Sequence, residues 1–232
     1  MTDIPEDLEK FRYEKKAIVE LDKSEMEDVI KHNPAFFSEL FHERKVNNIY
    51  FDSLNFNNYS EHISGNTNRL KIRIRWYGEI FGKIEKPVLE IKIKRGQLGR
   101  KISFPLKSFT FDKTFSQRFF KREIISKSDL PSWLCEILLS NSPTLLNSYK
   151  RKYFISKDKK YRITLDSDFL FLKIESSNNL FAEKIVNKEI LILELKYNQE
   201  AHSGAHFLTQ HFPFRFEASS KYIIGLNLLN LV

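Results

Sequence analysis

Arginine and lysine recur at every second position of the segment NRLKIRIRWYG (68–78), where Arg69, Lys71, Arg73 and Arg75 alternate with Leu70, Ile72, Ile74 and Trp76. Alternate side chains of a β-strand point to opposite faces. One face of this strand therefore carries a row of cations, and the other is apolar. Arginine offers paired donors that match phosphate or carboxylate oxygens, and lysine a compact point charge. The chemistry on offer is the holding of a multiply charged anion. The same alternation groups Arg12, Glu14 and Lys16; Glu90, Lys92 and Lys94; Tyr149, Arg151 and Tyr153; Arg162, Thr164 and Asp166; and Glu194 with Lys196. Opposite them lie Leu89, Ile91, Ile93, Ile163, Leu165, Leu193 and Leu195.

Two arrangements accommodate such strands. In one, each charged face is the solvated side of a sheet. Like charges in a row on one face repel, however, and the pattern recurs on strand after strand. In the other, the sheet closes into a barrel with the charged faces inside and the apolar faces packed outward against helices. A lumen so dense in cations calls for a polyanion or water within it.

The elements that must position these residues read as antiparallel-rich α+β. Residues 1–9 form a loose acidic lead-in. Strands are expected over 11–21, 44–53, 68–77, 87–95, 99–106, 147–156, 160–169 and 189–198. Ser24 with Glu27 has the spacing of a capping box and places a helix start there, interrupted at Asn33-Pro34. A short helix is expected within 55–65, stopped by Gly65. Residues 113–126 are ambiguous, with a helical tendency. Another helix is expected over 128–141, with Ser128 or Asp129 as cap and Pro131 in its first turn. The tail 203–230 holds one or two helices. With no repeat and no break in composition, one domain spanning 1–232 is expected.

A hydrophobic content of 41% supports a packed core, and the net charge of +8 points to an anionic partner. The single cysteine, Cys135, cannot form an internal disulfide and reads as a helix-core thiol. No apolar run reaches the roughly 18 residues of a membrane-spanning helix, and a cytoplasmic location is expected. The six histidines lack metal-ligand spacing, and 96–99 is no Walker-type phosphate loop. Trp76 and Tyr77 are read as packing against a helix in preference to stacking on a nucleobase.

The segments RYEKK (12–16), YFDS (50–53), RLKIRIRWYG (69–78), LEIKIKRG (89–96), YKRKYF (149–154), YRITLDSDF (161–169), LELKYN (193–198) and SKYIIG (220–225) together resemble the VTC domain. That domain is the polyphosphate-polymerase branch of the triphosphate tunnel metalloenzymes, the CYTH-like superfamily. The resemblance implies an eight-stranded antiparallel β tunnel with a basic lumen and helices packed outside, binding ATP and inorganic polyphosphate. By position in the motifs, Lys16, Arg73, Arg75, Lys92, Lys94, Arg151 and Lys221 resemble the family's phosphate-binding residues. Arg12, Arg162 and Lys196 join them on tunnel-facing positions. Glu194 resembles the principal ligand of a divalent metal, Mn²⁺ or Mg²⁺, with Glu14 and Glu90 as supporting carboxylates. Asp166 reads equally as a partner for a nearby arginine. The family's eukaryotic members carry inositol-phosphate-sensing and membrane domains that 232 residues cannot hold. A transmembrane segment is therefore not expected, and a membrane-protein partner and the oligomeric state are left open.

Hydrolases of the superfamily usually begin Glu-x-Glu-x-Lys, and this chain has Arg12-x-Glu14-x-Lys16. The departure favours a polymerase that moves the terminal phosphate of ATP onto a growing polyphosphate chain. The alternatives are a triphosphate or polyphosphate hydrolase on the same scaffold and a non-catalytic polyphosphate-binding module. A nucleic-acid-binding barrel ranks last, because its aromatics would interleave with the cations on an exposed face.

Overall fold

A computed structural model describes residues 12–96, 98–177 and 179–232; the expected lead-in lies outside them. The strands are β1 (Arg12–Val19), β2 (Ser38–Asp52), β3 (Asn68–Tyr77), β4 (Gly82–Ile84), β5 (Val88–Arg95), β6 (Leu98–Pro105), β7 (Phe109–Phe111), β8 (Ser142–Ile155), β9 (Tyr161–Lys173), β10 (Lys184–Asn187) and β11 (Leu191–Tyr197). Eight of them close into a ring in the order β1-β6-β5-β3-β2-β8-β9-β11, every neighbour antiparallel and β11 returning to β1. β10 pairs with the second half of β9, beyond the reach of β11. β4 and β7 form a separate two-stranded ribbon. These three short strands were not expected from the sequence. Gly96, at φ +59°, makes the tight β5–β6 connection in the left-handed region open to glycine.

The outward faces carry the core. Ile72, Ile74, Trp76, Leu89 and Ile91 pack against Phe109 and Phe111 of the ribbon and against Phe115, Phe120, Ile124, Leu134 and Leu138. Phe120 and Ile124 belong to a π-helical turn (Phe120–Ile125) that follows one turn of helix α3 (Gln117–Phe119), where the sequence was ambiguous. Leu134 and Leu138 come from α4 (Ser132–Ser140). On the other side Ala17, Val19, Ile163, Leu165, Leu193 and Leu195 pack against Met26 and Ile30 of α1 (Lys23–Lys31) and Ala205 and Leu208 of α5 (His202–Thr209). Each fully buried aliphatic or aromatic side chain contributes roughly 1.5–3 kcal/mol. Trp76 lies in this core, its indole N–H donating to the Glu79 carbonyl (2.8 Å), so it faces away from the lumen. Tyr77 is exposed under the Arg44 guanidinium.

Four local expectations are corrected. The first helix begins after Asp22, whose N–H donates to the Glu25 carboxylate (3.3 Å), so the capping pair lies two residues before Ser24 and Glu27. α4 starts at Ser132, with Pro131 extended at the N-cap, because a proline ring disfavours the helical conformation of the residue before it, so the helix does not run back to 128. β2 begins at Ser38, six residues before the expected 44, because β8 continues to pair with it. Cys135 is only partly buried.

One helix packs inside. α6 (Lys221–Leu228) enters one end of the barrel, with Tyr222, Ile223 and Leu226 against Val46, Tyr50, Leu145, Tyr149, Phe169, Phe171 and Ile192. Aromatics can line this end because β9 carries an extra residue. Asp168, at φ +53°, sits where the β8–β9 register shifts between Ser148 and Lys150. The bulge moves the inward phase from Thr164 and Asp166 to Phe169 and Phe171. At Gly225 a Cβ would lie 2.5 Å from Phe171 Cδ1 and 2.6 Å from Leu145 Cδ2, so this close approach requires glycine.

Candidate active site

The tunnel chamber is built from pairings that register fixes. Arg73 stands opposite Glu90 across β3–β5, and Arg75 opposite Asn48 across β2–β3. Arg73 donates to Glu90 through Nε (2.8 Å) and Nη2 (2.7 Å). The other oxygen of Glu90 meets Lys101 at 3.0 Å and Arg75 at 3.6 Å. Arg75 also donates to Asn48 Oδ1 (3.0 Å) and to the Tyr149 hydroxyl (3.5 Å). These cations hold the Glu90 carboxyl well below the usual range, against the opposing push of burial.

A second cluster centres on Glu194, which is 5% exposed. Its carboxylate meets Lys196 (2.8 Å), Lys221 (3.0 Å), Lys16 (3.4 Å) and Arg151 (3.6 Å). Burial would raise its pKa, but these four cations drive it well below the ordinary value. Arg151 grips Asp166 with two parallel bonds of 2.5 and 2.7 Å, and Lys221 reaches the same carboxylate at 2.6 Å. Asp166 is thus an arginine partner. Lys221, the first residue of α6, carries the helix N-terminus into the chamber. Burial opposes the charge of Arg151 and Lys221, yet Asp166 and Glu194 raise both.

Glu14 is paired with Lys92 and lies 3.5 Å from Lys16 and 4.0 Å from Lys196. Glu14 and Glu194 therefore share two ammonium groups. Glu90 shares no described cation with either, so the three expected metal-ligating carboxylates divide into a neighbouring pair and a separate arginine partner. Among the described residues no three histidine, cysteine or acidic side chains gather as a metal-binding group. Burial depresses the Lys92 ammonium to about 8, because Lys16 stands beside it and Glu14 compensates only in part.

Arg12, Arg162 and Lys196 line a recess of about 320 Å³ with Lys159, Lys160, Tyr197 and Asn198. Lys94 faces Gly99 on β6 and Arg69 on β3. The barrel thus turns every expected phosphate-binding residue toward the lumen or this recess. Sequence reasoning missed Lys101, Asn48, Tyr50, Asn147 and His62, and it placed Lys71 on the cationic face without giving it a role of its own. The first four follow from register once the strands are aligned, and Lys71 shares the phase of Arg73. His62 carries no sequence signal. The lumen-facing Asn147 Nδ2 and Thr164 Oγ1 are buried without a hydrogen-bond partner among the described residues.

A family model for the VTC domain matches residues 11–230. The chain belongs to the VTC domain family. Among curated proteins none matches it. Solved structures similar to this VTC domain include a proposed adenylyl cyclase from Hippeastrum with a dominant triphosphatase activity (13% identity, 93% of this chain and 95% of that one, TM-score 0.52). A proposed adenylate cyclase from Vibrio parahaemolyticus is 12% identical over 92% of this chain and 97% of that one, with a TM-score of 0.51. Another from Bacillus halodurans is 13% identical over 90% and 94%, with a TM-score of 0.50. At these identities the likeness concerns the fold alone. Among the described residues no helix is long and apolar enough to cross a membrane.

Proposed function

We propose that this VTC domain is a polyphosphate polymerase, moving the terminal phosphate of ATP onto inorganic polyphosphate. The observation that carries the reading is the convergence of Lys16, Arg73, Arg75, Lys92, Arg151 and Lys221 on one chamber whose carboxylates are all engaged by cations. Phosphoryl transfer asks the protein mainly for positioning and charge neutralisation. Arg73, Arg75 and Arg151 would grip phosphate oxygens with paired donors, and Lys16, Lys92 and Lys221 would neutralise the charge between them. Arg12, Arg162 and Lys196 would guide the chain at the recess, and Lys94 would meet it beside Arg69 on the β3–β5 ladder. The acceptor phosphate is already an anion at neutral pH and needs no general base.

Two carboxylates, fewer than a preformed metal group would bring together, could hold a divalent cation jointly with the phosphate oxygens of the substrate. Glu14 and Glu194 share Lys16 and Lys196, and a hard cation takes carboxylate and phosphate oxygens. Mn²⁺ or Mg²⁺ held by Glu194 and Glu14 would supply charge neutralisation on the triphosphate. Glu90, engaged by two arginines and a lysine, would hold those cations in place.

A second reading is a triphosphate hydrolase, favoured by the neighbouring carboxylates Glu14 and Glu194 and by the triphosphatase activity of the Hippeastrum protein of the same fold. Incubation of the pure protein with ATP and Mn²⁺, resolved on gels for polyphosphate and assayed for orthophosphate, separates the two. ADP with long polyphosphate is expected. Orthophosphate alone would install the hydrolase, and tight binding without turnover a binding module.

A further inference from the structure

Most chamber cations meet a carboxylate. Across the β3–β5 ladder, however, Arg69 stands directly opposite Lys94, and Lys71 directly opposite Lys92. Opposed like charges destabilise a sheet, and among the described residues only Lys92 of these four has a carboxylate within 4 Å, Glu14. Lys71 instead donates to Ser220 Oγ (2.7 Å) and lies 3.5 Å from His62 Nδ1. Arg69 donates from Nη1 to the same His62 nitrogen at 2.6 Å, while its buried Nε has no partner. A neutral imidazole from α2 (Asn57–Ile63) thus serves as the acceptor where an anion would be expected.

We propose that Arg69, Lys71 and Lys94, closed over by His62, form a further anion subsite that takes a phosphate group. This rests on the phosphate-handling reading of the tunnel and extends it by one group beyond the central chamber. The groups facing His62 are Lys71 and Arg69 on β3, Lys16 on β1 and Lys94 on β5, with Glu61 beside it in α2 and near Arg69. Burial and these cations depress the imidazole to about 3, so it is neutral in the empty protein with its ring proton on Nε2. A bound phosphate reverses the local charge. The Lys71 ammonium, which burial and the surrounding cations hold well below its ordinary value, is then favoured, His62 moves back toward its ordinary value, and anion affinity at the subsite rises as the pH falls.

The test is an NMR titration of ¹⁵N-histidine protein with orthophosphate and with tripolyphosphate, His62 being assigned through His62→Gln. The His62 pKa is expected to rise by at least one unit on ligand binding. A response to both ligands identifies a site for free phosphate, and a response to tripolyphosphate alone a site for the end of a chain. By calorimetry, Lys71→Gln is expected to weaken tripolyphosphate binding roughly tenfold or more, with Lys71→Arg restoring most of it. An unmoved His62, or unchanged affinity in folded Lys71→Gln, overturns the subsite. If ATP and Mn²⁺ give no turnover while His62 still responds, the polymerase reading falls and the subsite stands.

Discussion

At the scale of single residues, Glu194 neutralises Lys16, Lys196, Lys221 and Arg151 at once. Glu194→Gln is expected to abolish metal-dependent turnover. It also leaves buried cations without their anion, and a loss of about 2–4 kcal/mol in unfolding free energy is expected, smaller when tripolyphosphate is present. Denaturant titration with and without ligand checks both statements. Because Glu194 and Asp166 are held below their ordinary values, their contribution is complete above the normal carboxylate range and disappears as the pH falls through the depressed values. Lys92 gives the opposite sign. Its ammonium titrates near 8 in the free protein, and a bound phosphate favours the charged form. Metal-free tripolyphosphate affinity, measured in EDTA, is therefore expected to fall as the pH rises above about 8. In Lys92→Arg the fall should vanish over the same range; an identical profile would place the titrating group elsewhere.

At the scale of elements, α6 couples packing to chemistry, because the helix that fills one end of the barrel also delivers Lys221. Gly225→Ala forces a methyl into Phe171 and Leu145. A destabilisation of about 1–3 kcal/mol is expected, together with reduced turnover as Lys221 shifts away from Glu194. Full activity at unchanged stability would detach the plug from the site. The strands that carry Arg73, Lys92, Arg151 and Glu194 were legible because a period of two is written in the local sequence. The seating of α6 was not. It depends on the bulge at Asp168, which re-phases Phe169 and Phe171 inward, and on contacts with β8 and β9 far away in the chain. The pairing of Glu90 with Arg73 and Arg75 depends on register, which fixes its partners only once β3 lies beside β5. His62 was illegible for the same kind of reason, since only the docking of α2 beside β3 brings it to Arg69 and Lys71. The β4–β7 ribbon and β10 are too short for periodicity to register.

At the scale of the whole molecule, the +8 charge is unevenly spent in space. The barrel gathers cations from β1, β3, β5, β6, β8, β9, β11 and α6 onto one lumen, so the folded state carries a repulsion that the unfolded chain relieves. A ligand that binds only the folded protein stabilises it by mass action, about 2.7 kcal/mol at a hundred times its dissociation constant. For a chain of this size that corresponds to roughly 5–10 °C in melting temperature. Tripolyphosphate is expected to produce such a shift, and sulfate at equal ionic strength a much smaller one, because a linear chain can engage Arg73, Arg75 and Arg151 together whereas a compact dianion cannot. The Arg73, Arg75 and Arg151 side chains are at most 22% exposed, so the difference should survive 0.15 M salt, where the Debye length is about 8 Å and charges on the outer surface are largely screened. Arg73→Ala with Arg151→Ala should remove most of the tripolyphosphate shift and leave the small sulfate shift in place. Equal stabilisation by the two anions in the unaltered protein would mean that diffuse surface charge, and not the tunnel, receives the polyanion.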